Sequence, residues 1–506
     1  MRKQLQRICS CALLCALLLA LPLPASAAEN ATGFSDVPAS HWAADSIRRA
    51  VDLGLFQGET STRFGLGHSM TRGAFVVVLN RLFGWEPVSS EQGSYSDNQD
   101  ASAWYYDAVE TAYANGAITN QTDTFRPTDP ITREEAAVML VRALGYSTIA
   151  GLAQDLPLPF QDVQTNVGYV AMAYELGLVN GTSSTTFSPN SPTTREQAAV
   201  ILMRVYDNYH RAEPERIGIA VSQENLADLT GCSAVAVAAE KLIYAGESRL
   251  VSNIEEEESA ALKAAIPEGV PALLYISGSS SALRDTTEHT AALLTAAVES
   301  GGYDGLFLDL AELEYAQRES FTQLAERLRE SLGDRALYLM VEAPVWEGTS
   351  YNGYDFTALA ELADKLVIRG APYRQISNSF PIAPIEPLEE VYYALAELKG
   401  IVDSDKLSLL LTTTGSCWTG SRHTGAASAP EIEDLLSSSS TTSYYSSRYA
   451  CAYLTSGDQT IWYLDGESVL ERVRMAGFFG VDEICLSDLS SVADYENYSL
   501  LGGLRE

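Results

Sequence analysis

Arg72, Arg133 and Arg195 each follow a threonine and recur along the first two fifths of the chain about every 60 residues. A guanidinium is a rigid fork of N–H donors matched to a carboxylate or phosphate. Capping of a helix explains Thr followed by Glu, but not an Arg held at the second position each time. Upstream of each arginine stands an aromatic-x-Asp triplet: Phe34-Ser35-Asp36, Tyr95-Ser96-Asp97 and Phe160-Gln161-Asp162. Two copies add Trp42 and Trp104, large aromatic rings with an apolar face and a polar N–H. A second group of candidates lies downstream in Tyr303-Asp304-Gly-Leu-Phe-Leu-Asp309-Leu-Ala-Glu312-Leu-Glu314. Closely spaced carboxyls of this kind are suited to general acid–base work. On a strand, alternation puts Phe307, Asp309 and Ala311 on one face. Asp309 among apolar neighbours requires a partner or a task. Glu342 is a third acidic candidate, and pairing with Arg369 is its alternative.

The elements that would position these residues fall into two kinds. Before residue 210, each repeat reads as helix, glycine stop, Phe-bearing loop and second helix. Asp36 is expected to cap a helix from His41 to Leu53. Thr132 and Thr194 are expected to cap helices over 134–144 and 196–206. After residue 216, apolar β-branched runs alternate with amphipathic helices. Eight strands are expected, at about 216–221, 233–239, 271–277, 304–310, 336–342, 365–369, 407–412 and 481–487. That alternation predicts a parallel sheet closed into a barrel, with an open doubly wound sheet as the alternative. No Gly-rich phosphate loop follows the first strand, which argues against a nucleotide site. Ser437–Ser443 reads as a low-complexity loop.

The opening repeats resemble the S-layer homology domain family, on their Phe-x-Asp-Val, His-Trp-Ala and Thr-Arg-Glu-Glu motifs. The resemblance implies three helical units in one pseudo-threefold module that binds the secondary polysaccharide of a bacterial wall, often through pyruvylated sugars. Arg72, Arg133 and Arg195 match the family's binding arginine. Asp36, Asp97, Asp162, Trp42 and Trp104 complete the implied wall-polymer site. Repeat one departs at Gly73-Ala74, and repeat three has Thr165-Asn166 in place of the Trp.

The remainder resembles glycoside hydrolase family 18, on the Asp304-Gly305 strand, Leu273–Gly278, Tyr354-Asp355-Phe356, Leu409–Trp418 and Ile461–Ser468. The resemblance implies a TIM barrel acting on β-1,4-linked N-acetylglucosamine polymers. Asp304 and Asp309 match the family's strand motif; Phe307 stands at the middle Asp and Ala311 at the catalytic Glu. Two readings follow. In one, the barrel binds peptidoglycan or chitin-type glycan without cleaving it, with Trp346, Tyr373 and Trp418 as glycan-stacking residues. In the other, Glu312 or Glu314 serves as acid beside Asp309. The expected fold is therefore multidomain: an all-α module of three repeats followed by an α/β (TIM) barrel. Expected boundaries are 1–28 signal peptide, 29–88, 89–150 and 151–210 repeats, 211–216 linker and 217–506 barrel.

Composition bounds the setting. Arg2, Lys3 and Arg7, an apolar run from Ile8 to Leu21 and Ala25-Ser-Ala27 read as a secretory signal, so the expected site is extracellular, at the wall. The formal charge is −33; removing three signal cations leaves about −36. Such a chain is a poor partner for nucleic acid. No later segment is apolar enough to span a membrane. Three of the seven cysteines lie in the signal, leaving Cys232, Cys417, Cys451 and Cys485 as buried thiols or a disulfide. The histidines are scattered, and no cofactor or metal is expected.

Overall fold

The structure, a computed structural model, describes residues 33–154, 158–211, 213–311, 313–345, 350–370, 382–384, 386–492, 494–495 and 498–499. The chain divides into two units. One runs to Asp207 without 147–156 and 175–177; the other takes those segments and the chain from Asn208.

The first unit is mostly helical. Each repeat contributes two helices: Ala44–Asp52 and Arg72–Phe83, Tyr106–Ala114 and Arg133–Ala143, Val167–Glu175 and Arg195–Tyr209. The second helix starts on threonine as expected. Thr71 Oγ1 accepts from Ala74 N–H, and Thr132 and Glu135 cap one another reciprocally. The first helix starts without a side-chain cap at Ala43 or Tyr105. Asp36 therefore does not cap it; its task lies in a loop, described below. Left-handed glycines end these first helices (Gly54, Gly116, Gly177), where a Cβ would be strained.

A closed ring of three backbone hydrogen bonds joins the repeats. Met70 N–H donates to Thr193 O, Thr193 N–H to Ile131 O and Ile131 N–H to Met70 O, each at 2.9 Å. All three residues are buried, so the ring satisfies peptide groups that would otherwise be costly.

In the second unit eight parallel strands close on themselves. They are β1 (Glu215–Ala220), β2 (Cys232–Tyr244), β4 (Ala272–Ser279), β5 (Gly305–Ala311), β6 (Ala336–Glu342), β7 (Lys365–Arg369), β8 (Leu407–Leu411) and β14 (Glu483–Leu486). Sheet order is β1-β14-β8-β7-β6-β5-β4-β2, and β1 also pairs with β2. That last pairing makes a barrel and rules out the open sheet. Helices such as Thr287–Gly301, Arg318–Leu332 and Leu388–Leu398 fall between strands. Both faces of the strands are covered, which is why β5 and β8 read as nearly unbroken apolar runs. Ile217, Leu273, Phe307, Met340, Val367, Leu410 and Cys485 meet in the barrel interior. A short β3 (Ser248–Ser252) lies antiparallel to β2.

Between β8 and the last barrel helix, Gly466–Phe478, the chain forms a five-stranded antiparallel sheet. Its strands are β9 (Gly415–Thr419), β10 (Arg422–Ala427), β11 (Thr441–Ser446), β12 (Cys451–Ser456) and β13 (Gln459–Tyr463), in order β10-β9-β13-β12-β11. Ser443 thus belongs to an edge strand, which corrects the loop expected over Ser437–Ser443. Cys232, Cys417, Cys451 and Cys485 are free and buried. No helix among the described residues is long and apolar enough to cross a membrane.

Candidate functional site

In the first unit each arginine opens a second helix and reaches the Phe loop of another repeat. Arg72 Nε donates to Phe125 O at 2.7 Å, Arg133 Nε to Phe187 O at 2.8 Å and Arg195 Nε to Phe64 O at 2.9 Å. The same guanidinium groups lie 4.7, 4.6 and 4.9 Å from the centres of those rings. Repeat one thus clasps two, two clasps three and three clasps one. Burial lowers the basicity of all three arginines.

The aspartates build the loops those arginines clasp. Asp36 accepts from the N–H groups of Phe64, Gly65 and Leu66 at 2.8–3.0 Å. Asp97 accepts from Phe125 and Arg126, and Asp162 from Phe187 and Ser188. Their oxygens are engaged with backbone, so they shape the Phe loops. Trp42 and Trp104 are the most open large rings here, 63% and 66% exposed. At the matching place in repeat three, Thr165 Oγ1 and Asn166 Nδ2 donate to Glu134 Oε1 at 2.7 and 2.6 Å.

One cleft is a defined groove of about 240 Å³, lined by Arg72, Tyr95, Phe125, Arg126, Glu135 and Arg142 among others. Arg72 is 8% exposed and pairs with Glu135 at 2.8 Å; Arg126 pairs with the same carboxylate. Burial alone would raise the Glu135 carboxyl, but Thr132 N–H, Arg72 and Arg126 together hold it below its usual value. Glu135 stands in the Thr-Arg-Glu-Glu motif and Arg126 directly after the Phe of its loop, and only the fold brings the two together.

In the second unit the candidate site is at the carboxyl end of the barrel strands. Asp309 is 4% exposed, one turn of the pleat above Phe307. Its Oδ2 accepts from Tyr275 Oη on β4 at 2.5 Å and from the Arg369 guanidinium on β7. Arg369 Nη1 also meets Glu342 Oε1 on β6 at 3.3 Å. Burial opposes the charge on Arg369, but Asp309 and Glu342 outweigh it and hold the guanidinium well above its ordinary pKa. Burial and Asp309 push the Tyr275 phenol up, so it stays a donor. Ala311 ends β5 with no polar side chain to offer.

Glu386, which sequence reasoning missed, is 3% exposed beside this network. Thr412 donates to it through N–H and hydroxyl, and burial pushes its carboxyl up. Gly370 admits it: a Cβ there would stand 2.5 Å from Glu386 Cγ. Nothing in the local sequence marks Glu386; it is the end of a chain path that only the barrel defines. Glu314 is exposed and caps the turn Tyr315–Gln317 reciprocally with Gln317. Trp418 is 7% exposed and packs with Tyr449, Cys451 and Trp462 inside the antiparallel sheet's cluster. The open ring on that face is Tyr444, 47% exposed and stacked on Tyr453 at 5.0 Å. Glu312, Trp346 and Tyr373 lie outside the described residues.

The S-layer homology domain family matches residues 33–76, 94–137 and 159–199. An endoglucanase of Bacillus sp. (strain KSM-635) is 32% identical over 216 residues, 40% of this chain and 22% of its own length. The surface-layer 125 kDa protein of Lysinibacillus sphaericus is 26% identical over 201 residues, 38% of this chain and 16% of that protein. The chain thus spans at most about a fifth of these relatives. Among solved structures, a chitinase from Chromobacterium violaceum ATCC 12472 superposes with TM-score 0.49 at 17% identity, over 56% of this chain and 96% of that one.

Proposed function

We propose that this chain, which carries three S-layer homology repeats, is a bacterial cell-surface protein held without covalent bonds to the secondary polysaccharide of the wall, displaying a barrel that binds N-acetylglucosamine-containing glycan without cleaving it. The carrying observation for attachment is the cyclic set of guanidinium groups, each over a phenylalanine ring of another repeat, with a groove at Arg72. Arg133 and Arg195 are each held by two backbone carbonyls, so the N–H donors these leave open lose little freedom on meeting a carboxylate, whereas Arg72 is already paired with Glu135. Trp42 and Trp104 offer the same unit two exposed ring faces for stacking on a sugar.

The non-cleaving reading of the barrel rests on Ala311 and on Arg369. Substrate-assisted hydrolysis requires a carboxylic acid within hydrogen-bond reach of the leaving oxygen. The residue matched to that acid is Ala311, and Asp309 is bound to Arg369 and Tyr275. Glu314, the alternative acid, has its carboxylate engaged at a helical turn.

Two measurements test this. The full chain should co-sediment with native wall sacculi and not with sacculi stripped of secondary polymer; equal binding to both would refute attachment. Incubated with chitin oligomers or peptidoglycan, the chain should be retained on the glycan and release no soluble fragments. Fragment release lost on Glu312→Gln would replace the binding reading by an enzymatic one.

A further inference from the structure

We propose that β11 is a docking edge for a second copy of this chain: two copies pair β11 with β11, antiparallel about a two-fold axis at Tyr444, and so join their antiparallel sheets into one.

Among the described residues β11 has one strand neighbour, β12, and is paired with it from Thr441–Ser456 to Ser446–Cys451. In an antiparallel pair, alternate residues turn their N–H and C=O groups toward the neighbour and away from it. Thr441 N–H donates to Ser438 O at 3.1 Å and so faces away from β12. By that alternation Ser443 and Tyr445 also aim their peptide groups outward, along an open edge. Thr442, Ser443 and Tyr444 are exposed.

Open edges are ordinarily blunted by charge, proline or a bulge. β10, the far edge of the same sheet, carries Arg422 and a register shift between His423 and Gly425. β3, the edge beside β2, carries Arg249. β11 has no charge, no proline and an unbroken register.

Charge and symmetry select the occupant. A formal charge of −33 sets two copies against each other over most of their surface. Residues 435–447 carry no charged side chain, and neither do β9, β12 and β13 behind them, so this edge brings no like charges into contact. Tyr444 stacks on Tyr453 at 5.0 Å, and Tyr453 lies 4.6 Å from Trp462. These rings form a row across β11, β12 and β13 that stops at the open edge. An axis at Tyr444 sets that ring beside its own copy, so the row continues into the second sheet. The same axis sets Ser443 opposite the second copy's Tyr445, and the reverse, for about four backbone hydrogen bonds. Because each partner offers the same patch, the contact closes at two copies.

The test is sedimentation velocity of the full chain from about 1 to about 100 µM, where a monomer should give way to a species of twice its mass. Ser443→Pro removes an N–H that β12 does not use; it should leave the melting temperature unchanged and weaken the dimer by at least about tenfold. Tyr444→Lys places two cations together at the axis and should weaken the dimer by at least about tenfold as well. Deuterium exchange over residues 437–447 should slow as the wild-type chain is concentrated, and should not slow in Tyr444→Lys. A wild-type chain that stays monomeric throughout, or a dimer that either substitution leaves intact, would overturn the assignment.

Discussion

Replacing Arg369 by methionine isolates the interaction that most shapes the barrel mouth. The change keeps side-chain bulk and removes the cation shared by Asp309 and Glu342, which are 4% and 5% exposed. A unit charge pair at the observed 3.3 Å between Arg369 and Glu342 is worth about 5 kcal/mol at an effective dielectric near 20. The Arg369 side chain is 26% exposed, so solvent screens part of this. The expected net cost is about 3 kcal/mol, the low end for stranding buried charges. Denaturant unfolding of the full chain, read on the barrel transition, measures it. In an Asp309→Asn/Glu342→Gln background the same substitution strands no charge and should cost less than about 1 kcal/mol. An equal loss in both backgrounds would refute the electrostatic account and reduce Arg369 to a packing residue.

Three further outcomes follow from the two units. Burial would raise the Asp36 carboxyl, but N–H groups of Leu66, Phe64 and Gly65 win and hold it at about 2; this stabilisation is complete above the ordinary value near 3.8 and is lost as pH falls through about 2. Asp36→Asn should therefore cost about 1 kcal/mol after screening at pH 7 and little at pH 2, by thermal melts at both. Gly73→Ala raises helix propensity by about 1 kcal/mol, yet its Cβ would sit 2.9 Å from Pro127 O and 3.2 Å from Tyr105 Cβ, so the melting temperature should fall. Ala311→Glu restores the acid but not a free Asp309, so fragment release from chitin oligomers should stay absent; release would show that Arg369 does not restrain Asp309.

The barrel was legible because its strands are buried on both faces and so announce themselves as apolar runs; Leu306 to Leu310 and Leu407 to Leu411 are the plainest. Closure was not readable from any one strand, since it depends on β1 meeting β2. The antiparallel sheet was missed although two of its hairpins carry two-residue signals, Gly420-Ser421 between β9 and β10 and Gly457-Asp458 between β12 and β13. β11 carries four strand-favouring residues, Thr441, Thr442, Tyr444 and Tyr445, and pairs with β12 along its whole length; the serines just before it, Ser437 to Ser440, hid it in a low-complexity run. In the repeats the threonine caps were legible because capping is local. The aspartates were misassigned as caps because their partners lie 25–30 residues ahead, across a loop. The pairing of Glu342 with Arg369 could be anticipated from neighbouring strands; the share that Asp309 takes could not, because β5 and β7 are separated by β6.

The triangle at Met70, Ile131 and Thr193 fixes copy number by geometry. Each vertex gives one donor and one acceptor, and the circuit is complete with three members. Deleting any one repeat leaves a stranded donor and a stranded acceptor in an apolar centre, and a fourth has no vacancy to join. Lengthening such a chain by duplication would therefore proceed in whole triads.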